Sequence, residues 1–255
     1  MLGEGRKLLS LMRGVRNPLP AVFDRLGQQR EPYVLCRHDG VSIEVRPGVG
    51  DLFGFYEILL RNDYLASGQV LNDGDTVIDV GANIGCFSVL AARVVGPKGR
   101  VIALEPEEST YRQLVRNIEL NRLHNVIALK LAVGAECGSI KLHSASNRLF
   151  SSFYTSVNGQ AVAGVEQEVE VVTLAELMAV QGVLACDYLK LDCEGAEHDI
   201  VRTMTAETAQ RIRQVTVELH RVPGHDGAVF ADRLIDLGYE RVGTSTLPYY
   251  RRRPV

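Results

Sequence analysis

The segment Val77-Ile-Asp-Val-Gly-Ala-Asn-Ile-Gly85 most limits what this chain can fold into. A short, mostly apolar run, Val77–Val80, meets two glycines four residues apart, Gly81 and Gly85, and then the helical pattern Ile84–Val95. Such a run reads as strand, tight turn and helix. Glycine accepts a positive φ and lets a ligand approach the backbone with no Cβ in the way. Asn83 stands between the glycines, and asparagine tolerates the left-handed region better than other non-glycine residues.

Downstream the alternation continues. Strands are predicted at Val101–Leu104, Val126–Val133, Asp187–Leu191 and Val215–Leu219, with helices over Glu108–Leu123, after Gly195 and over Ala228–Leu237. A further strand pair, Ser139–His143 and Glu168–Val172, brackets a Ser/Asn-rich loop at 144–160; Thr173 with Glu176 three residues on reads as a helix cap. Short apolar strands separated by helices predict a mainly parallel sheet covered on both faces. In such α/β sheets ligands bind beyond the carboxyl ends of the strands, at the topological switch point. Functional side chains are therefore expected just after Val80, Leu104, Val133, Leu191 and Leu219. Upstream, an amphipathic helical stretch at 5–27 is broken by Pro18 and Pro20, a hairpin turns around His38-Asp39-Gly40, and Leu52–Leu60 reads as a helix. Residues 1–65 are expected as a helix-and-hairpin extension, a lid or dimer contact, and residues 66–255 as the ligand-binding domain.

Composition narrows the function. A formal net charge of −3, no Trp and 6% aromatics give neither a basic stripe nor a base-stacking platform, so no nucleic-acid partner is expected. No apolar stretch approaches the ~20 residues of a membrane span. The five cysteines are odd in number and form no C-x-x-C pair, which suits reduced thiols and a cytoplasmic location.

Charge separates the ligands that a glycine turn can serve. Glu105 ends the second strand twenty residues beyond Gly85, a spacing that suits a carboxylate accepting hydrogen bonds from ribose hydroxyls. A dinucleotide would set its pyrophosphate against the turn, yet Asp79 precedes the glycines and the G-x-G-x-x-G spacing is missing. A carboxylate there opposes a phosphate and favours an ammonium. S-adenosylmethionine carries an ammonium, a sulfonium and a ribose without phosphate, so a methyl donor is preferred over a nicotinamide cofactor. An oxidoreductase stands as the alternative, as does a non-catalytic domain that keeps the donor pocket.

These residues, together with Ile102-Ala-Leu-Glu-Pro106, Asp187-Tyr-Leu-Lys-Leu-Asp-Cys-Glu-Gly-Ala-Glu197 and Val217-Glu-Leu-His220, resemble the FkbM-type methyltransferases across residues 40–245. The resemblance implies a Rossmann-like class I fold with an antiparallel last strand. It also implies S-adenosylmethionine as donor and O-methylation of a sugar, glycan or natural-product hydroxyl. By that likeness Asp79, Gly81, Ala82, Asn83 and Gly85 hold the methionine end, Glu105 the ribose, and Ala132 and Val133 flank the adenine.

Methyl transfer to an alcohol needs alignment of donor carbon and acceptor oxygen, and a group to take the hydroxyl proton. Asp192, Glu218 and His220 stand at strand ends for this role, with Asp192 at the acceptor and Glu218 or His220 as base. The same three side chains form a candidate set for a divalent cation such as Mg2+ that would acidify the hydroxyl, though no local ligand motif requires one. Glu194 and Glu197 read as helix-start acids, Lys190 as a buried strand residue paired with an acid, and Ser151, Ser152 and Tyr154 as lid or acceptor contacts.

Overall fold

The computed structural model describes residues 2–66, 68–145, 151–154, 156–161, 164–244 and 247–253. Its main sheet contains β1 Thr76–Val80, β2 Arg100–Leu104, β3 Val126–Leu129, β4 Tyr188–Leu191, β5 Gln214–Val217, β6 Tyr239–Val242 and β7 Tyr249–Arg252. The strand order is β6-β7-β5-β4-β1-β2-β3. Neighbours run parallel except β7, which lies antiparallel between β5 and β6. The chain therefore steps outward from β1 to β3 and restarts at β4 on the other side of β1. The switch point lies between the ends of β1 and β4.

Helices α1 Cys86–Val95, α2 Glu108–Leu120, α3 Leu174–Val180, α4 Glu197–Thr203, α5 Ala206–Gln210 and α6 Gly227–Asp236 cover the sheet. The central strands are buried along almost their whole length, which explains why they read as continuous apolar runs rather than alternating ones. Thr173 caps α3 as expected, its hydroxyl accepting from the Glu176 amide at 3.1 Å.

Two segments differ from the sequence reading. The third strand stops at Leu129; Ala132–Val133 leaves the main sheet and pairs in parallel with Val171 and Val172. A second sheet is built there from the long antiparallel pair Gly138–Ala145 and Gly164–Val172. The helix expected over Leu52–Leu60 is a short α-turn, Asp51–Gly54, followed by a π-helix, Phe55–Leu60. Periodicity over nine residues cannot separate these windings, and π-turns are frequent at functional sites.

The N-terminal helices Leu2–Gly14 and Leu19–Arg25 and the hairpin Tyr33–Cys36/Ser42–Val45 pack onto the main domain. Leu11, Leu35, Ile43 and Phe55 share one buried cluster with Ile84, Cys86 and Val89 at the start of α1. Asn117 and Asn121, at the end of α2, pin the hairpin by accepting from the Glu44 and Ser42 amides at 2.8 and 3.0 Å. Among the described residues no helix is long and apolar enough to cross a membrane.

Candidate active site

A cavity of ≈ 920 Å³ opens over the carboxyl ends of β1, β2 and β4, lined by Gly81–Ile84, Glu105, Ala132, Val133, Asp192, Glu194 and Glu218 among others. The turn after β1 forms its floor. Gly81 has φ 77°, and a Cβ there would lie 1.8 Å from the Asp192 carbonyl oxygen. Only glycine lets the ends of β1 and β4 approach so closely. Asn83 adopts φ 50°, in the left-handed region. Its amide donates to Glu105 Oε2 at 3.0 Å, and the Glu107 amide donates to Oε1 at 3.0 Å. Burial pushes the Glu105 carboxyl up to about 7, an effect the two amides offset only in part.

Asp79 and Gly85 belong behind this floor rather than on it. The Asp79 side chain is fully buried, with Ser88 Oγ donating to it at 2.6 Å and Lys190 Nζ 3.0 Å from Oδ1. Lys190 faces it across the parallel β1–β4 register. The carboxylate thus pairs with a lysine of the protein itself. Gly85, at φ 89°, opens α1, and a Cβ there would strike Leu114 at 2.7 Å. Ala82, Ala132 and Val133 do line the cavity, beside Leu142 and Phe153 of the second sheet.

The other end of the cavity is acidic. Asp192 Oδ2 lies 3.3 Å from Lys190 Nζ and accepts from Tyr64 Oη at 2.7 Å; Tyr64 Oη is also 3.0 Å from Glu218 Oε2. Burial works to raise the Asp192 carboxyl, but Lys190, His220 and Tyr64 outweigh it and hold the group below its ordinary value. The Glu218 carboxyl is raised, first by the Asp192 charge and then by burial. Burial pushes Glu194 up to about 8. Glu194 itself sits at φ 54°, a conformation uncommon for such a residue and typical of functional sites. Glu57 and Arg61 of the N-terminal segment complete this wall.

His220 departs from its expected role. Its ring is buried, with Nδ1 2.7 Å from Glu197 Oε1 and Nε2 3.3 Å from Glu194 Oε2. Burial works against the charged form, yet Glu197, Glu194 and Asp192 push the imidazole up to about 10. The raised imidazole favours the charged form, which has no lone pair with which to accept a proton. Ligand atoms of Asp192, Glu218 and His220 fall within 4.8 Å of one another, with Asp192 Oδ2 met by Lys190 Nζ and the His220 ring nitrogens by Glu197 and Glu194. Glu197 stands in the first turn of α4, as its reading as a helix-start acid expects, and is also the buried partner of His220.

The insertion contributes Phe153 to the cavity, whereas Ser152 Oγ donates to the Glu194 carbonyl at 2.5 Å and Tyr154 Oη to Asp199 at 2.6 Å. Ser152 thus holds the strained loop after β4 and Tyr154 the helix α4 that follows it. The side chain of Ser151 and residues 146–150 of the loop lie outside the described residues. Tyr64 was missed as a site residue; its only sequence signal is the Asn62-Asp-Tyr64 run in the stretch leading into the domain.

The strand order, the antiparallel β7 and a cavity at the switch point together define a class I methyltransferase fold. A family model described as the methyltransferase FkbM domain matches residues 79–241. The chain belongs to the FkbM methyltransferase family. It is 31% identical over 205 residues to 31-O-demethyl-FK506 methyltransferase FkbM of Streptomyces tacrolimicus, covering 70% of this chain and 78% of that protein. It is 29% identical over 163 residues to methyltransferase 1 of Beauveria bassiana, covering 58% of this chain and 65% of the relative. Among solved structures, methyltransferase FkbM from Methylobacillus flagellatus aligns with a TM-score of 0.49 at 13% identity, over 78% of this chain and 53% of its own. Family membership replaces the oxidoreductase alternative.

Proposed function

We propose that this methyltransferase moves a methyl group from S-adenosylmethionine to a hydroxyl of a small-molecule or glycan acceptor. The observation that carries the reading is a single cavity with two chemically distinct ends: a glycine turn with Glu105 at one, and Asp192 with Glu218 at the other. S-adenosylmethionine supplies an electrophilic methyl group on a sulfonium when bound. Glu105 is placed to accept from ribose hydroxyls, having used one direction of each oxygen on a backbone amide. Leu104, Ala132, Val133, Leu142 and Phe153 offer apolar surface for a base. The backbone of Gly81–Ile84 borders the amino-acid end. The acidic wall favours a cationic sulfonium there.

Oxygen as the accepting atom is supported by the carboxylates beside that end, which can take a hydroxyl proton. The relative from S. tacrolimicus carries a 31-O position in its name. Isothermal titration with S-adenosylhomocysteine tests the donor half: binding is expected, weakened at least tenfold by Glu105→Ala. Absence of binding, or wild-type affinity in the variant, would sink the reading. A labelled-methyl screen of hydroxylated metabolites tests the acceptor half; labelling only of amines or thiols would overturn O-methylation.

A further inference from the structure

One ammonium links the two ends of the cavity. Lys190 is 1% exposed, and its Nζ donates to the Gly81 carbonyl at 2.9 Å. The same nitrogen lies 3.0 Å from Asp79 Oδ1 and 3.3 Å from Asp192 Oδ2, and 5.2 Å from the centre of the Tyr64 ring. An ammonium carries three donors and no acceptor, so oxygens from three places can share it. Gly81 belongs to the turn that floors the donor end, and Asp192 to the acidic end. Asp79 is fully buried behind the turn.

Each link fixes something that would otherwise turn. A glycine at positive φ rotates its peptide at little steric cost. Here the Gly81 and Ala82 amides donate to the Leu104 carbonyl at 3.1 and 2.9 Å, and Lys190 takes the Gly81 carbonyl from the other side. Asp192 Oδ2 accepts from Tyr64 Oη at 2.7 Å, and Lys190 is its second neighbour. We propose that Lys190 is a positioning residue for both substrates: one ammonium fixes the Gly81 peptide under the methyl donor and the Asp192 carboxylate beside the acceptor hydroxyl, and so holds the two partners of the transfer in register. Pairing with Asp79 balances the buried charge; the contact with the Gly81 carbonyl is what that balance alone does not require.

This assignment rests on the O-methyltransferase reading and adds no chemical step, since Lys190 neither gives nor takes a proton. The Lys-x-Asp spacing has a physical reason in it. Residues two apart along a strand leave the same face of the sheet, and the Asp192 amide continues the β1–β4 pairing by donating to the Val80 carbonyl at 3.1 Å. Lys190 and Asp192 therefore emerge together, with Asp79 opposite Lys190 in the register.

The test compares Asp79→Asn with Asp79→Asn/Lys190→Met in the full chain, so that whatever Asp79 itself contributes is counted out. The double variant removes a buried charge together with its partner rather than stranding one of them, and thermal melting checks its fold. Relative to Asp79→Asn, its S-adenosylhomocysteine affinity by titration calorimetry is expected to fall about fivefold, the worth of one hydrogen bond. With the acceptor recovered from the labelled-methyl screen, kcat at saturating donor should fall by about 100-fold, as a misplacement of about 1 Å costs. The acceptor KM should move less than about threefold, since the lost interaction is not a ground-state contact with the acceptor. A folded double variant that matches Asp79→Asn in affinity and kcat would overturn the proposal. So would a loss of kcat with donor affinity intact, which would confine Lys190 to Asp192. Should the double variant not fold, Lys190→Ala is assayed with n-propylammonium, which replaces the missing atoms, and with n-propanol, which fills the space without charge. Recovery of donor affinity and turnover with the amine alone is expected; equal recovery with both, or with neither, would overturn the proposal. Wild type that fails to bind S-adenosylhomocysteine condemns the donor reading, whereas wild type that binds beside an unaffected variant sinks only the role of Lys190.

Discussion

At the scale of single residues, Glu105 ties donor binding to pH. Its carboxyl is pushed up to about 7 by burial, so below that value it is a neutral acid and must lose a proton before it can accept from two ribose hydroxyls. S-adenosylhomocysteine affinity is therefore expected to climb as pH rises toward 7, by up to about tenfold per pH unit on the acid side, and to level off above it. Titration calorimetry across that range checks the slope, and Glu105→Gln should flatten it. Gly81 supports a steric prediction. Alanine there meets a backbone oxygen at 1.8 Å with φ 77°, and neither strand end can retreat cheaply, so Gly81→Ala should cost about 3 kcal/mol or more in a denaturant melt. Both residues were legible in the sequence because each has a local signature, a glycine before a helix and an acid at a strand end. The partner of Asp79 was not legible for a physical reason: Lys190 is 111 positions away and becomes a neighbour only through β1–β4 pairing. The surroundings of His220 were hidden likewise, since Glu194 and Glu197 meet its ring from another element.

At the scale of elements, the N-terminal extension supplies part of the cavity wall. Arg46, following the hairpin, pairs with Asp51 through Nε to Oδ2 at 2.8 Å and Nη2 to Oδ1 at 3.0 Å, and Asp51 leads into the π-helix that carries Glu57. The aspartate is buried and the arginine only slightly exposed. Removing the arginine would leave a buried carboxylate without its cation, a loss of about 3 kcal/mol. Arg46→Ala is thus expected to lower the thermal midpoint by about 6 °C or more, measured by calorimetry. An unchanged midpoint would show that the hairpin and the π-helix are not coupled through this pair. The hairpin was readable from Asp39-Gly40 between alternating runs. The π-helix was not, because an extra residue per turn leaves no trace in a nine-residue apolar pattern. The departure of Ala132–Val133 into a second sheet was hidden as well: two short strands separated by Lys130-Leu131 look like one.

At the scale of the whole molecule, sheet order follows from the alternation of strands and helices, and the switch point then says where to look. What alternation cannot say is which distant segment closes the site, as the 128- and 154-residue separations of Tyr64 from Asp192 and Glu218 illustrate. Because the cavity draws on β1, β2, β4, both sheets and the N-terminal segment, a ligand filling it should stabilise the fold as one unit. S-adenosylhomocysteine at ~100 times its dissociation constant is expected to add about 2.7 kcal/mol and raise the midpoint by roughly 5–10 °C. Two separate transitions, with only one moved by ligand, would contradict that unity. The antiparallel β7 carries a different consequence, one for synthesis rather than for stability. β6 borders no strand of the main sheet but β7, yet β7 is made after it. Until β7 emerges, Tyr239 of β6 can hydrogen-bond the Ala209 and Ile212 carbonyls, but β6 has no strand to pair with and β5 presents an open edge. The last two strands, Tyr239–Val242 and Tyr249–Arg252, therefore join the sheet together, with β7 placed between β5 and β6. That interval is when this protein is most exposed to wrong pairing and most in need of a chaperone.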